Sequence, residues 1–145
     1  METEYQIRSM RIEDYDSVVT LWRDSDGIVL SDTDEREPVE RFLSRNPGLS
    51  LVAHCRGELA GAVLCSQDGR RGYMHHLVTG KQFRRRGIGS ALVQASLSGL
   101  SRVGIQKCNI FILPDNREGI AFWQHNGFGL LPHYNWMQAI KEADH

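Results

Sequence analysis

Leu77-Val78-Thr79-Gly80-Lys81-Gln82-Phe83-Arg84-Arg85-Arg86-Gly87-Ile88-Gly89-Ser90 decides how this chain reads. The apolar run ending at Thr79 has the character of a strand, and the residues after Ser90, beginning Ala91-Leu92-Val93, open a helical pattern. Between them lies a basic glycine turn, so the stretch predicts a strand, a turn and a helix N-terminus. Such a turn is an anion cradle. The glycines have no Cβ to block close approach, the first-turn N–H groups point outward, and the helix dipole places roughly half a positive charge at that end. A diphosphate fits it. Competing glycine patterns fail on the residues: a dinucleotide fingerprint needs a third glycine where this chain has Leu92, and a phosphate-loop ATPase needs Gly-Lys-Ser/Thr, which is absent.

The surrounding chain suits an ordinary globular enzyme. Its 145 residues allow one hydrophobic core without metal or disulfide staples. No apolar run approaches the roughly 18 residues of a membrane span, and residues 1–6 carry two glutamates and no hydrophobic block, so neither a membrane nor a secretory leader is expected and the cytoplasm is the default location. Cys55, Cys65 and Cys108 lack C-x-x-C spacing and fall in strand-like runs; reduced thiols and no metal site are expected. The net charge of −1 conceals a division. Residues 1–40 hold twelve acids against four arginines, so the remainder carries the positive excess. That pattern suits a protein that holds an anion with one region and attracts a cationic amine with another, while most of the acids read as solvated helix faces. Nucleic-acid binding through Arg84, Arg85 and Arg86 is disfavoured by the near-neutral balance and the lack of a repeated basic and aromatic surface.

Periodicity places the elements. Residues 6–10 read as a strand, and Tyr15, Val18, Val19 and Trp22 form one buried helix face. A polar, turn-rich segment follows over 24–36, and Pro38 starts a second helix that stops near Asn46-Pro47-Gly48. Residues 49–55 and 59–65 make a hairpin around Arg56-Gly57; 72–79 is a strand; 87–102 is the helix that begins at the cradle; 107–113 is a strand ended by Pro114. A helix over 116–126 closes at Gly127, and strands are expected near 128–131 and 134–140, which gives the order βααβββαβαββ.

The spacing Arg84-x-x-Gly87-x-Gly89 after a strand resembles the acetyl-CoA signature of the GNAT N-acetyltransferase superfamily. The segment Asn116-Arg-Glu-Gly-Ile-Ala-Phe-Trp-Gln-His-Asn-Gly-Phe128 is similar to the family's Asn-x-x-Ala-x-x-x-Tyr-x-x-x-Gly-Phe, with Trp123 in the tyrosine place. The element order matches over nearly the whole chain. The resemblance implies an α/β (α+β) fold with a mixed, mostly antiparallel sheet of six to seven strands, helices on both faces, and a single domain over residues 1–145. It implies acetyl-CoA as co-substrate, with no metal, and direct acetyl transfer to a primary amine, whether on a small molecule, a protein N-terminus or a lysine; a homodimer stays open. A non-catalytic acyl-CoA sensor is the alternative that Trp123 permits.

By the same resemblance, the backbone of Leu77, Val78 and Thr79 meets the pantetheine arm at a splay between the fourth and fifth strands. Arg84, Arg85, Arg86, Gly87, Ile88, Gly89 and Ser90 hold the phosphates, and Asn116 and Trp123 lie beside the arm and thioester. Asn116 also reads as a helix N-cap. A neutral amine must attack, so a base is needed. Strict alternation puts Tyr73, His75 and Leu77 on one strand face and Met74, His76 and Val78 on the other. His75 stands where some relatives carry a histidine acting through water, and it is the chosen base. Trp123 cannot serve as an acid, which leaves Tyr134 as the candidate proton donor to the leaving thiolate.

Overall fold

The computed structural model describes residues 4–141, and the chain divides after Leu113 into two units. The first holds β1 (Gln6–Ser9), α1 (Tyr15–Arg23), α2 (Arg36–Arg45), β2 (Leu51–Cys55), β3 (Glu58–Gln67), β4 (Gly72–Thr79), α3 (Ile88–Arg102) and β5 (Cys108–Asn109). The sheet runs β1-β2-β3-β4-β5, antiparallel except for the parallel β4/β5 pair.

Both faces of this sheet are covered, which is why β2 and β3 are almost continuously apolar and buried. Val52, Ala62, Leu64 and Val78 pack with Val18, Val19 and Trp22 of α1 and Val39 of α2. On the opposite face Ala53 pairs with Gly61, and a Cβ on Gly61 would stand 3.2 Å from Leu92 and 3.3 Å from Ile88. Glycine there lets α3 lie close against β3. The β2–β3 hairpin turns on Arg56 (φ 54°) and Gly57 (φ 79°), two consecutive positive angles that match the twist of the flanking strands.

The second unit contains α4 (Arg117–His125). Asn116 caps its start, accepting a hydrogen bond from Gly119 N–H at 2.9 Å. Its end is a Schellman motif: Phe128 N–H donates to Trp123 C=O at 3.0 Å, Gly127 N–H donates to Gln124 C=O at 3.0 Å, and Gly127 takes φ 96°. The Trp123 and Phe128 rings meet edge to face at 4.9 Å, the apolar contact that accompanies such caps.

The expectation of six to seven strands is corrected to five among the described residues. Residues 128–131 and 134–140 form no strand. The amide of Phe128 is already used by the helix cap, and Tyr134 N–H closes a turn on Leu131 C=O at 3.3 Å. Pro132 has no donor, and apolar residues at 134, 136, 137 and 140 break the two-residue period. The fifth strand shrinks from the expected 107–113 to Cys108–Asn109 because its ladder to β4 stops at Tyr73.

Candidate active site

The turn after β4 begins with a 3-10 turn, Lys81–Phe83, whose Phe83 is buried. Arg84 is extended, Arg85 takes φ 64° and Gly87 takes φ 78°. Left-handed residues just before a helix turn successive N–H groups into one concavity, an anion nest. The α3 ladder starts with Ala91 N–H to Gly87 C=O at 3.0 Å, so the amides of Ile88 and Gly89 precede its first bond. Nothing stands within 4 Å of a Cβ built on Gly87, and Arg84, Arg85 and Arg86 are exposed, so the nest has open space and positive charge for a pyrophosphate. The three arginines diverge. Arg86 lies 5.7 Å over the Phe83 ring, whereas Arg84 lines a neighbouring cavity.

β4 pairs along one edge with β3 as far as Thr79↔Gly61. Along the other edge it meets β5 only at Gly72↔Cys108 and Tyr73↔Asn109. From Met74 to Thr79 that second edge has no strand partner among the described residues. Backbone groups there can receive an amide-bearing arm by strand addition.

The register also reveals a β-bulge. Ala62 pairs with Val78 and Leu64 with His75, so Val63 alone stands against His76 and Leu77. His76 takes φ 53°, a left-handed conformation that costs a non-glycine residue about 1–3 kcal/mol and persists where its surroundings impose it. Strict alternation therefore fails at this point. His75 meets Phe42 of α2, and His76 meets Trp22 of α1, so both histidines face the side of the sheet covered by α1 and α2.

Their environments differ. The His75 ring lies 6.3 Å from Phe42 and 5.7 Å from Phe111, which in turn stacks with Tyr73 at 6.4 Å. Burial, and then the neighbouring His76, push its pKa below the ordinary 6.5, against a weaker opposing pull from Asp34. The ring is thus poised neutral near pH 7. His76 Nε2 instead lies 2.8 Å from Asp34 Oδ1, with only 22% and 12% of the two side chains exposed. A carboxylate only accepts, so Nε2 carries a proton and a neutral ring keeps Nδ1 as its acceptor. The His76 ring packs edge to face on Trp22 at 5.0 Å. Trp22 is 1% exposed, and its Nε1 finds no acceptor among the described residues.

A cavity of about 410 Å³ lies beside these features. Its walls include Thr20 and Asp24 at the end of α1, Glu58 of β3, Val78 and Thr79 of β4, and Arg84. Three of the residues assigned to the cofactor thus border one space, which also contains two acids.

Leu77, Val78, Thr79 and the 84–90 turn follow one another along β4 and into α3, with His75 on the same strand. Asn116, Trp123 and Tyr134 belong to the second unit, where Asn116 is the N-cap, Trp123 supports the C-cap, and Tyr134 is 76% exposed. Cys55 and Cys65 are buried free thiols and Cys108 is half-buried; burial pushes Cys65 up to about 12 and Cys108 up to about 11, which makes both inert. The alternation pattern missed the bulge and the Asp34–His76 pair. Adjacent histidines were the only local sign, and an aspartate 42 residues away gives no sequence signal.

The acetyltransferase (GNAT) family model matches residues 15–128. An acetyltransferase of Pectobacterium atrosepticum is 34% identical over 119 residues, covering 82% of this chain and 84% of that one. An acetyltransferase of Sodalis glossinidius is 33% identical over 119 residues, covering 82% and 83%. Among solved structures, the PaiA N-acetyltransferase of Thermoplasma acidophilum in complex with coenzyme A is similar with a TM-score of 0.77 at 20% identity, covering 88% of this chain and 91% of that one. The diaminobutyrate acetyltransferase of Paenibacillus lautus, bound to its substrate and coenzyme A, gives 0.70 at 17% identity, covering 85% and 74%. At these identities the two structures speak for the fold alone.

Proposed function

The chain belongs to the acetyltransferase (GNAT) family, and from that premise we propose how its residues divide the work of moving an acetyl group from acetyl-CoA to a primary amine. The nest from Arg85 to Ser90 and the charge of Arg84 take the pyrophosphate, and the open β4 edge at Leu77, Val78 and Thr79 takes the pantetheine arm. The family resemblance assigns Asn116 and Trp123 to the arm and thioester. One acetyltransferase domain over residues 1–145 is part of the reading, supported by a family match that runs across both units. So is a cytoplasmic location, supported by free thiols that suit a reducing compartment. Among the described residues no helix is long and apolar enough to cross a membrane.

In the reaction, His75 takes a proton from the acceptor ammonium, directly or through a water. The amine nitrogen bonds to the thioester carbonyl carbon, the carbon–sulfur bond breaks as Tyr134 protonates the departing thiolate, the nitrogen gives up its second proton to water, and Tyr134 and His75 return to their starting states by exchange with solvent. Burial keeps His75 neutral and able to accept that proton. Asp24 and Glu58 in the cavity favour a cationic acceptor. Small amines, protein N-termini and lysines share that chemistry.

The single observation that carries the reading is the left-handed nest at the head of α3, set at the end of a strand whose edge is open from Met74 to Thr79. Thiol release from acetyl-CoA against an amine panel tests it, with melting curves run in parallel. Turnover together with a melting shift supports transfer. A shift without turnover on any amine supports a sensor, and no shift at millimolar acetyl-CoA overturns the site.

A further inference from the structure

We infer that Asp34 and His76 act as a positioning pair that fastens the acidic 24–35 segment to the β4 bulge and so sets the place of the acceptor amine. This rests on the reading above, in which Asp24, the first residue of that segment, lines the cavity that favours a cationic acceptor. Asp34 is fixed from three directions. Its carboxylate accepts from Ser31 N–H at 3.0 Å and from His76 Nε2 at 2.8 Å, and its backbone carbonyl accepts from the Tyr15 hydroxyl at 2.7 Å. One residue therefore joins its own 3-10 turn (Asp32–Asp34), helix α1 and strand β4.

The other end of the tie is equally particular. His76 carries the left-handed angle of the bulge, rests on Trp22, and adjoins a buried indole N–H that finds no acceptor among the described residues. A buried donor without an acceptor and a strained backbone each cost free energy, and such costs gather where function over-determines a structure. A tie that served stability alone would be met more cheaply by two apolar side chains, because a partly buried polar pair repays little of its desolvation. What the pair adds is direction: an imidazole N–H donates in the plane of its ring to a carboxylate lone pair, a contact with angular preferences that an apolar contact lacks. That geometry holds Asp34 within electrostatic reach of His75, the residue before His76 in the chain, whose ring packs on Phe42 of α2.

The test measures KM and kcat for both substrates in Asp34→Ala, Asp34→Asn and His76→Ala. The probes are a free-N-terminus tetrapeptide, N-α-acetyl-lysine amide and 1,4-diaminobutane, with acetyl-CoA affinity, melting temperature and amide hydrogen exchange over 24–35 read on the same proteins. Asp34→Ala should raise the acceptor KM roughly tenfold or more, a change of about 1.4 kcal/mol, while acetyl-CoA affinity stays within about twofold on the same scale. Asp34→Asn, which keeps an acceptor for Nε2–H, should recover most of the loss. Combining Asp34→Ala with His76→Ala should add little, since both remove one interaction. Exchange over 24–35 should quicken in both alanine variants. Equal rises in both KM values, additive losses, or a fall in melting temperature with unchanged kinetics would overturn the proposal. If the wild-type protein acetylates none of the probes, the function reading fails, and exchange decides for the tie: unchanged exchange in Asp34→Ala overturns it.

Discussion

Replacing Gly87 with alanine separates backbone strain from ligand contact at the nest. Nothing lies within 4 Å of the added methyl, so no steric clash arises and the whole effect is conformational. Gly87 holds φ 78°, where an L-residue pays about 1–2 kcal/mol. Restriction of the unfolded chain returns about 0.4–1 kcal/mol, leaving a net loss near 1 kcal/mol. With an unfolding entropy of about 2.1 cal/mol/K per residue over 145 residues, that corresponds to roughly 3 °C. Acetyl-CoA at about 100 times its Kd adds some 2.7 kcal/mol to the wild type, or roughly 9 °C. Differential scanning fluorimetry with and without acetyl-CoA reads both quantities. If the fold enforces the left-handed turn, the free variant melts lower and keeps the ligand increment. If the turn relaxes instead, the free protein melts unchanged and most of the increment disappears. A variant that keeps both its melting point and its increment would show that neither strain nor phosphate resides at Gly87, and the reasoning about the nest would fall.

His75→Ala should lower kcat by roughly 10²–10⁴, the usual worth of a general base, with little change in acetyl-CoA affinity; a variant with wild-type kcat would clear His75 of that role. Burial holds the folded pKa of His75 below 6.5, so its contribution is complete above that value and lost as acid forces a proton onto the buried ring. Melting temperature should therefore fall as the pH drops below about 6.5, and less steeply in His75→Asn; parallel slopes would contradict this. Gly61→Ala should cost about 1–3 kcal/mol by overpacking, since its Cβ would meet Val78 C=O at 2.8 Å; chemical denaturation checks it, and wild-type stability would contradict the close packing of β3 on β4. Tyr134→Phe should reduce kcat at least tenfold if Tyr134 protonates the thiolate, and Trp123→Tyr should then bring no gain; a silent Tyr134→Phe with a faster Trp123→Tyr would show that no side chain of the wild-type protein supplies that proton.

The part of the fold legible in the sequence was the part specified locally. Strand β4 runs from Gly72 to Thr79 as expected, because glycine at one end and the basic turn at the other bound a run without turn residues. The helix after the cradle and the Arg56-Gly57 hairpin were equally clear, since each depends on turn residues whose angles are almost their own property. The bulge depends on partners: Val63 must face two residues of β4, and nothing in Tyr73-Met74-His75-His76-Leu77 announces the extra one. A strict two-residue period consequently put the histidines on opposite faces. The last strands failed for a related reason. Apolar residues at 128–131 and 134–140 have strand-like composition, but Phe128 spends its amide on the α4 cap, and a strand without a ladder has no reason to form. Trp123 likewise read as a departure at a chemical position, whereas its observed contact with Phe128 is that of a helix cap.

One inserted residue connects the two halves of the proposed chemistry. Bulges increase local twist, and this one lies in the β3/β4 ladder, which resumes at Ala62↔Val78. After Tyr73 the β4 ladder to β5 is gone, and within three residues His76 has turned left-handed. The same irregularity brings His75 and His76 to one face, against α2 and α1 respectively. On a regular strand two adjacent histidines could not share the acceptor side, because alternation would send one ring toward α3, and the backbone groups of residues 77–79 would turn to the opposite edges. Removing the bulge by deleting one residue at 76–77 should therefore damage cofactor affinity and acceptor turnover together, whereas Asp34→Ala should damage only the second. If the deletion variant folds and loses turnover while binding acetyl-CoA as the wild type does, the edge and the face are independent, and the bulge serves the histidines alone.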